Sequence, residues 1–165
     1  MEAKKGRREM KKFELTTESI TNVAGKKLFR IKALIDFGDV KAGEVGGYVE
    51  KEGNVSQDGN AWVYGNAWVS GNARVYGNAW ISGDAWVSGN ADYTLIQGFG
   101  TEFRCTTFYR GKNKKIMVNC GCFHGDLKEF KKQVKETRSG KIAKEYLMIA
   151  DLMENHFASE DSGNE

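Results

Sequence analysis

The sequence predicts a mainly β protein organised around a short repeat, and two observations lead to this fold class. First, seven consecutive six-residue units run without a gap from Gly53 to Thr94. Second, five of these units follow the pattern Gly-Asn/Asp-Ala-x-Val/Ile-Tyr/Ser, and weaker copies lie at 53–58 and 89–94. A fixed short period indicates that each unit buries its apolar residue against the next copy.

Each position of the unit suits one part of a strand or a corner. The aliphatic position is always β-branched, which favours a strand with a dry inner face. The alanine is small enough for a tight corner, and Gly-Asn or Gly-Asp pairs accept the positive φ that corners need. The inward aliphatic residues are therefore expected to be Val63, Val69, Val75, Ile81 and Val87.

Written from the aliphatic position, the unit Val-Tyr-Gly-Asn-Ala-Trp resembles the hexapeptide repeat of left-handed parallel β-helices. The resemblance implies a short left-handed parallel β-helix in which three units form one triangular coil. Residues 18 positions apart, such as Val63 and Ile81 or Val69 and Val87, would then stack at the inter-strand spacing of about 4.8 Å. A stack this short has two open ends of unpaired backbone, so we expect the flanking segments to cap it.

The same spacing sorts the outward residues into three faces. The expected outward pairs are Trp62 with Trp80, Trp68 with Trp86, and Arg74 with Asp92. Stacked tryptophans would expose much apolar area, so we expect a dimer or trimer that associates through a tryptophan face, which light scattering would test. The alternatives are that the chain's own C-terminal helices cover these faces, or that they form an aromatic surface for a foreign ligand. The tryptophan faces carry almost no Lys or Arg, which argues against nucleic acid.

The segment before the repeats predicts a basic arm and a β-hairpin. Residues 1–11 are rich in Lys and Arg and are expected to fray. Residues 13–15 and 27–34 alternate apolar and polar side chains, which predicts two strands joined by a turn near Asn22–Gly25. The glycine-rich stretch from Asp36 to Val49 leads into the repeats.

The lead-in carries a second resemblance. The string Gly-Asp-Val-Lys-Ala-Gly, followed by Gly-Gly-Tyr-Val-Glu and by Asn-Val-Ser-Gln-Asp-Gly-Asn-Ala-Trp-Val-Tyr, runs from Gly38 to Tyr64. It is similar to the segment that opens the repeats in short hexapeptide-repeat proteins of phages and prophages. That resemblance implies the fold and a viral context, and it implies no activity.

The segment after the repeats predicts a ββαα unit. Residues 106–110 and 115–120 indicate a hairpin across Gly111–Lys114. Residues 126–136 have helical periodicity with Asp126 as the N-cap, and Gly140 is expected to end that helix. A second helix is expected from 142 to 157, with Ile142, Tyr146, Ile149, Leu152 and Met153 on its apolar side.

These observations predict four segments. They are an arm, hairpin and lead-in at 1–52, a repeat solenoid at 53–98, a ββαα capping and binding unit at 99–158, and a disordered acidic tail at 159–165. No apolar run reaches the roughly 18 residues of a membrane span. Three cysteines and a basic N-terminus without an apolar signal core predict a reducing cytoplasm, here that of the host cell.

The residues outside the repeat pattern suggest two candidate chemistries, a zinc site and acyl transfer. A tetrahedral zinc site would need the four side chains of Cys105, Cys120, Cys122 and His124, but Cys-x-Cys is an unusual ligand spacing and small buried cysteines explain the same residues. We therefore expect no metal and no cofactor. An acyltransferase would need a general base, and the repeats contain no histidine. A trimer could still bring His124 across an interface, so that hypothesis stays open.

The basic character lies in the C-terminal third, although the net charge is only +3. The candidate partner-binding residues are Lys128, Lys131, Lys132, Lys135 and Arg138. They suit an acidic protein surface, or they are the solvated side of a helix. The sequence thus predicts a non-catalytic phage protein that binds a host protein and inhibits or redirects it, for example as an anti-CRISPR inhibitor. The alternatives are a small acyltransferase, a protein that sequesters a nucleotide signal, and a structural trimer.

Overall fold

The computed structural model describes residues 10–158, so the predictions for most of the basic arm (1–9) and for the acidic tail (159–165) fall outside the described residues. The first five strands are β1 Phe13–Thr21, β2 Lys27–Ala33, β3 Val45–Val49, β4 Trp62–Val63 and β5 Trp68–Val69. The next six strands are β6 Trp80–Ile81, β7 Trp86–Val87, β8 Tyr93–Phe99, β9 Arg104–Arg110, β10 Ile116–Cys120 and β11 Phe123–Asp126. Two helices follow, α1 Leu127–Thr137 and α2 Gly140–Phe157.

The described strands form three sheets. A five-stranded mixed sheet has the order β1-β2-β3-β5-β7, a four-stranded antiparallel sheet has the order β11-β10-β9-β8, and β4 pairs with β6 in a two-stranded parallel sheet. The repeats therefore contribute to two sheets, and the segment after the repeats forms the third.

The predicted left-handed parallel β-helix is wrong as the fold class of this chain. Over residues 10–158 the structure is mainly β with three separate sheets, and the largest is mixed because the antiparallel hairpin β1–β2 joins the repeat strands through β3. Each strand within the repeats is only two residues long. Strands this short cannot form an independent β structure, so longer antiparallel strands from both flanking segments complete the architecture.

The 18-residue register holds at two of the three faces. Strands β4 and β6 pair Trp62 with Trp80 in parallel, and β5 and β7 pair Trp68 with Trp86. At the third face Val75 makes only an isolated parallel bridge with Val55. The predicted Arg74–Asp92 pair is wrong, because the Asp92 carboxylate accepts a hydrogen bond from Arg110 Nε at 3.0 Å. The chain leaves the repeat at this point, as β8 begins directly after Asp92.

The corner prediction is confirmed by the backbone. The glycine that opens each of five consecutive units has φ between 61° and 71°. These residues are Gly59, Gly65, Gly71, Gly77 and Gly83. At Gly71 an added Cβ would lie 2.4 Å from the carbonyl oxygen of Ser88, so a side chain is excluded there by the neighbouring unit as well as by φ.

The predictions for the segments on either side of the repeats are confirmed in part. The β1–β2 hairpin, the β9–β10 hairpin and both helices are confirmed, and the Asp126 side chain caps α1 by accepting from the Glu129 N–H at 2.8 Å. The ββαα description is wrong in strand number, because β8 and β11 extend the hairpin to four strands. Gly140 does not end α1; it is the first residue of α2, with φ of 59°.

Two apolar cores hold these elements. The first lies inside the repeats, where the inward valines and alanines meet Phe13 and Ile31 of the hairpin and Tyr109 of β9. The second lies between the four-stranded sheet and the helices, where Phe108 and Val118 meet Phe130. Because β8 and β9 have residues in both cores, the repeat segment and the C-terminal unit share strands at their junction.

We expect interior and exterior positions of the repeat to differ in stability. Val69 is fully buried beside Val87, so Val69→Ala removes buried methyl groups and should lower the free energy of unfolding by about 1–3 kcal/mol. Arg74 is exposed, so Arg74→Ala should cost less than about 1 kcal/mol. Urea unfolding followed by circular dichroism measures both. Equal losses at the two sites would contradict the inward and outward assignment.

Candidate functional site

The four tryptophans do not form one common surface. Trp62 is only 2% exposed, and its ring lies 5.2 Å from the Phe37 ring and 6.1 Å from the Phe13 ring. The N-terminal segment therefore covers Trp62, and neither the C-terminal helices nor a second copy of the chain is needed. Trp80 is half-buried beside Tyr64, and its Nε1–H donates to the Asn60 carbonyl at 3.2 Å.

Trp68 and Trp86 form the candidate site. Their rings stack with centroids 5.0 Å apart and planes within 4° of parallel. Both side chains are half-buried and line an open groove of about 700 Å³. The β1–β2 turn lines the groove with Asn22, Val23, Ala24 and Lys26, and the end of β9 and the turn after it line the groove with Arg110, Gly111, Asn113 and Lys114. We call this feature the Trp68–Trp86 groove.

The β9–β10 turn is attached next to Trp86. Gly111 makes an antiparallel bridge with Ala85, and the Lys112 N–H donates to the Asp84 carbonyl at 2.9 Å. Asn113 and Lys114 both have positive φ, at 65° and 60°, a conformation that non-glycine residues adopt at a cost. The neighbouring repeat unit thus holds a strained turn against one side of the groove.

Asp92 supplies the carboxylate among the described lining residues, and both of its oxygens already accept hydrogen bonds within the protein. Asp92 Oδ2 accepts hydrogen bonds from the Ser88 N–H, the Ser88 hydroxyl and the Gly89 N–H, and Oδ1 accepts from Arg110 Nε. Arg110 also donates from Nη2 to the Phe157 carbonyl at 2.9 Å, which fixes the guanidinium between the repeats and α2. The negative charge of Asp92 is therefore compensated within the protein.

The groove carries two more cations. Lys26 Nζ lies 3.6 Å from a Glu50 carboxylate oxygen, and a hydrogen bond from the Gly71 backbone N–H lowers the pKa of Glu50. Lys114 is exposed and makes no ion pair with any residue between 10 and 158. Among residues 10–158 the charged side chains that line the groove are three cations and one carboxylate. Lys26 and Arg110 are each paired with a carboxylate, so the net positive charge of the groove comes from Lys114.

Four of the five predicted partner-binding residues lie on α1 and the fifth, Arg138, is its C-cap, and the five differ in environment. Lys131 Nζ contacts Glu154 and lies 3.0 Å from Asp151 on α2, and these two acceptors raise its pKa. Lys132 lies 3.9 Å from Glu136. The remaining three members are exposed and make no ion pair among the described residues; they are Lys128, Lys135 and Arg138.

The sequence analysis did not predict that two apolar side chains of α2 are exposed. Leu152 was assigned to the buried side of the second helix, but it is 57% exposed, and Met148 one turn earlier is 61% exposed. The residues of α2 that are buried are Tyr146, Ile149, Ala150, Met153 and Phe157. The helical period is compatible with Leu152 on the apolar side of the helix. The packing of α2 on α1 and β8 leaves this side chain outside the core.

The proposed zinc ligands do not meet. Within residues 10–158 no group of three His, Cys, Asp or Glu side chains could hold a metal ion. Cys122 is exposed in the β10–β11 turn, whereas the Cys120 sulfur accepts a hydrogen bond from the Thr106 hydroxyl at 3.1 Å. Burial raises the pKa of Cys105, which keeps that thiol protonated at neutral pH.

His124 belongs to a hydrogen-bonded cluster that sequence reasoning did not predict. Its Nδ1 lies 2.6 Å from Asn119 Oδ1 and 3.4 Å from both the Ser82 and Tyr109 hydroxyls. Burial raises the pKa of Tyr109 to about 12, so this phenol stays neutral at physiological pH. Asn119 Nδ2 also donates to the Trp80 carbonyl at 2.6 Å, so the cluster links the repeats to the four-stranded sheet.

Comparison with protein-family models finds no match, and neither does comparison with curated proteins. Neither helix in the described part of the chain has the length and apolarity needed to cross a bilayer. Self-association through a tryptophan face stays a prediction.

Proposed function

We propose that the protein is a non-catalytic binding protein that docks on a host protein and inhibits or redirects it. The observation that carries this proposal is the outer face of the two helices, where Met148 and Leu152 of α2 stay exposed and Lys131 of α1 pairs with Asp151 and Glu154 of α2. We call it the helical face. Methionine is enriched at the centres of protein interfaces, and exposed apolar side chains with a polar rim are typical of docking sites.

The ion pairs of Lys131 make the helical face continuous. Lys131 on α1 bonds to Asp151 and Glu154 on α2, and Asp151 is next to Leu152 and one turn from Met148. On α1, Lys128 and Lys135 lie one turn before and one turn after Lys131. The face therefore runs from exposed lysines across a neutralised ion-pair cluster to two apolar side chains.

The charge of the helical face favours a partner with an acidic surface. Asp151 and Glu154 are compensated by Lys131, whereas Lys128, Lys135 and Arg138 have no carboxylate partner in the described chain. Such cations accelerate association with an acidic protein and fix its orientation, while the apolar centre supplies most of the affinity.

The viral context of the proposal rests on the resemblance of Gly38–Tyr64 to the lead-in of phage and prophage hexapeptide-repeat proteins. A phage protein without a catalytic site acts on its host most directly by occupying a functional surface. Inhibition of a defence protein, such as a CRISPR nuclease, is the most specific form of this proposal, with the host cytoplasm as its site of action.

The test is capture of a partner from host lysate by the tagged protein and by surface variants. We expect one stoichiometric partner, lost with Met148→Asp/Leu152→Asp and with Lys128→Glu/Lys135→Glu. Lys41→Glu is the matched control, because Lys41 is exposed on the loop before β3 and distant in sequence from the helical face. Equal capture by all variants would overturn the proposal, and so would turnover of acetyl-coenzyme A by the purified protein.

A further inference from the structure

Aromatic residues occupy adjacent positions on three neighbouring strands of the five-stranded sheet, and we call this row the aromatic column; within it the rings of Trp68 and Trp86 stack on each other. Parallel pairing places Tyr48 of β3 beside Trp68 of β5, and Trp68 beside Trp86 of β7. The Arg30 guanidinium covers the Tyr48 ring at 4.3 Å, which closes that end of the column. At the other end Trp86 lies on the edge strand β7, so in this sheet no further strand continues the column.

We propose that the Trp68–Trp86 groove binds a nucleotide. The base would stack on the tryptophan column, and the phosphate would lie among Lys26, Arg110 and Lys114. This site is separate from the helical face, so the inference does not depend on the proposed function.

The aromatic part of the groove suits a planar ring. Trp68 and Trp86 are paired on neighbouring parallel strands, and their stacked, half-buried rings both line the groove. Bases of any kind stack on such tryptophans because every base has a π-face. A volume of about 700 Å³ lies within the range of small-molecule sites and is too small for a folded partner.

The charged part of the groove suits a phosphate. Asp92 would repel an anion, but three hydrogen bonds from Ser88 and Gly89 and the ion pair with Arg110 already compensate its charge. Lys114 is available because it lacks an ion pair with residues 10–158, and Lys26 lines the same groove. An uncharged aromatic ligand would leave these cations unused, and an apolar peptide side chain would leave them desolvated.

The test measures binding of defined probes by calorimetry and by quenching of tryptophan fluorescence. The probes are AMP, GMP and a cyclic dinucleotide, with adenosine and inorganic phosphate as the separate halves of the ligand. We expect at least one nucleotide to bind at least tenfold more tightly than adenosine or phosphate, with affinity that falls as salt rises.

Three variants of the site and two matched controls test its location. Lys114→Glu and Trp86→Ala should each weaken nucleotide binding about tenfold or more, whereas Trp86→Phe should retain most of it. Lys112→Glu is the charge control, because Lys112 lies in the same turn but does not line the groove. Trp80→Phe is the aromatic control. Circular dichroism and the thermal midpoint show whether each variant is folded, and Lys114 is exposed, so its variant tests the site even if Trp86→Ala unfolds.

Three results would overturn this inference. The first is no binding of any of the three nucleotides up to about 1 mM, which is weaker than a specific site of this kind should be. The second is binding that both Lys114→Glu and a folded Trp86→Ala leave unchanged. The third is binding of inorganic phosphate as tight as that of the nucleotides, which would mean that the tryptophans do not contact the ligand.

Discussion

Replacing Trp62 with alanine is expected to lower the free energy of unfolding by about 3–5 kcal/mol. The side chain is 2% exposed, lies between Phe13 and Phe37, and packs so tightly on Gly46 that a Cβ there would be 2.7 Å from the indole. The substitution removes the largest fully buried side chain of the described protein and leaves a cavity where the N-terminal hairpin meets the repeats. Denaturant unfolding measured by circular dichroism provides the value.

Tyr76→Ala is the matched aromatic control for this experiment. Tyr76 occupies an outward position of the repeat and is 57% exposed, with its ring 6.3 Å from that of Tyr93. Its loss should cost no more than about 1 kcal/mol. A small effect of Trp62→Ala, similar to that of Tyr76→Ala, would mean that Trp62 is solvent-accessible and that the hairpin does not cover it.

The stability of the protein is expected to rise as the pH increases from 8 to 9.5, because of Lys12. This side chain is 2% exposed, and its ammonium donates to the Ala61 carbonyl at 2.8 Å and lies 4.6 Å from the centre of the Phe37 ring. Burial lowers the pKa of Lys12 from 10.5 to about 8, and the charge of Asp58 opposes this shift. At neutral pH the folded protein therefore keeps a buried charge at a cost.

The direction of the effect follows from proton binding. Below pH 8 Lys12 is protonated in both the folded and the unfolded state, so the cost is fully present. Between pH 8 and 10.5 the folded state releases the proton and the unfolded state keeps it, so stability rises with pH. The gain from this group should be about 2 kcal/mol at pH 9.5.

Lys12→Met is the control that isolates this contribution. Cys105, whose raised pKa makes stability fall over the same pH range, is present in both proteins and cancels in the comparison. We expect the urea midpoint of the parent protein to rise between pH 8 and 9.5 relative to that of Lys12→Met. Parallel pH profiles would show that the Lys12 ammonium is solvated in the folded state.

Local periodicity was sufficient to predict several elements of this structure. The six-residue period predicted the positive-φ glycines, the inward valines and the 18-residue pairing of Trp62 with Trp80 and of Trp68 with Trp86. The amphipathic pattern predicted α1 and its N-cap at Asp126. These features depend on residues near one another in sequence or on a geometry that repeats with the sequence. Both can therefore be predicted from a sequence pattern.

The same patterns led to the wrong fold class because they do not describe which strands complete a sheet. Whether β1, β2 and β3 add to the repeat strands in antiparallel or parallel orientation depends on contacts between residues far apart in the chain. Strand β8 was missed because its first residues, Tyr93 and Thr94, also fit the last repeat unit. Strand β11 was missed because it has only four residues and contains Gly125.

By itself, the sequence determined the repeat period, the corner glycines, the two hairpins and the amphipathic helix α1. Tertiary structure alone decided that Trp62 is buried under the hairpin while Trp68 and Trp86 line an electropositive groove, although all three occupy the same position of the repeat. It also placed Met148 and Leu152 outside the helical core. The physical reason is that repeat units of the same sequence differ in burial only because different segments pack on them. Which segment packs where depends on the apolar area that the chain buries as a whole.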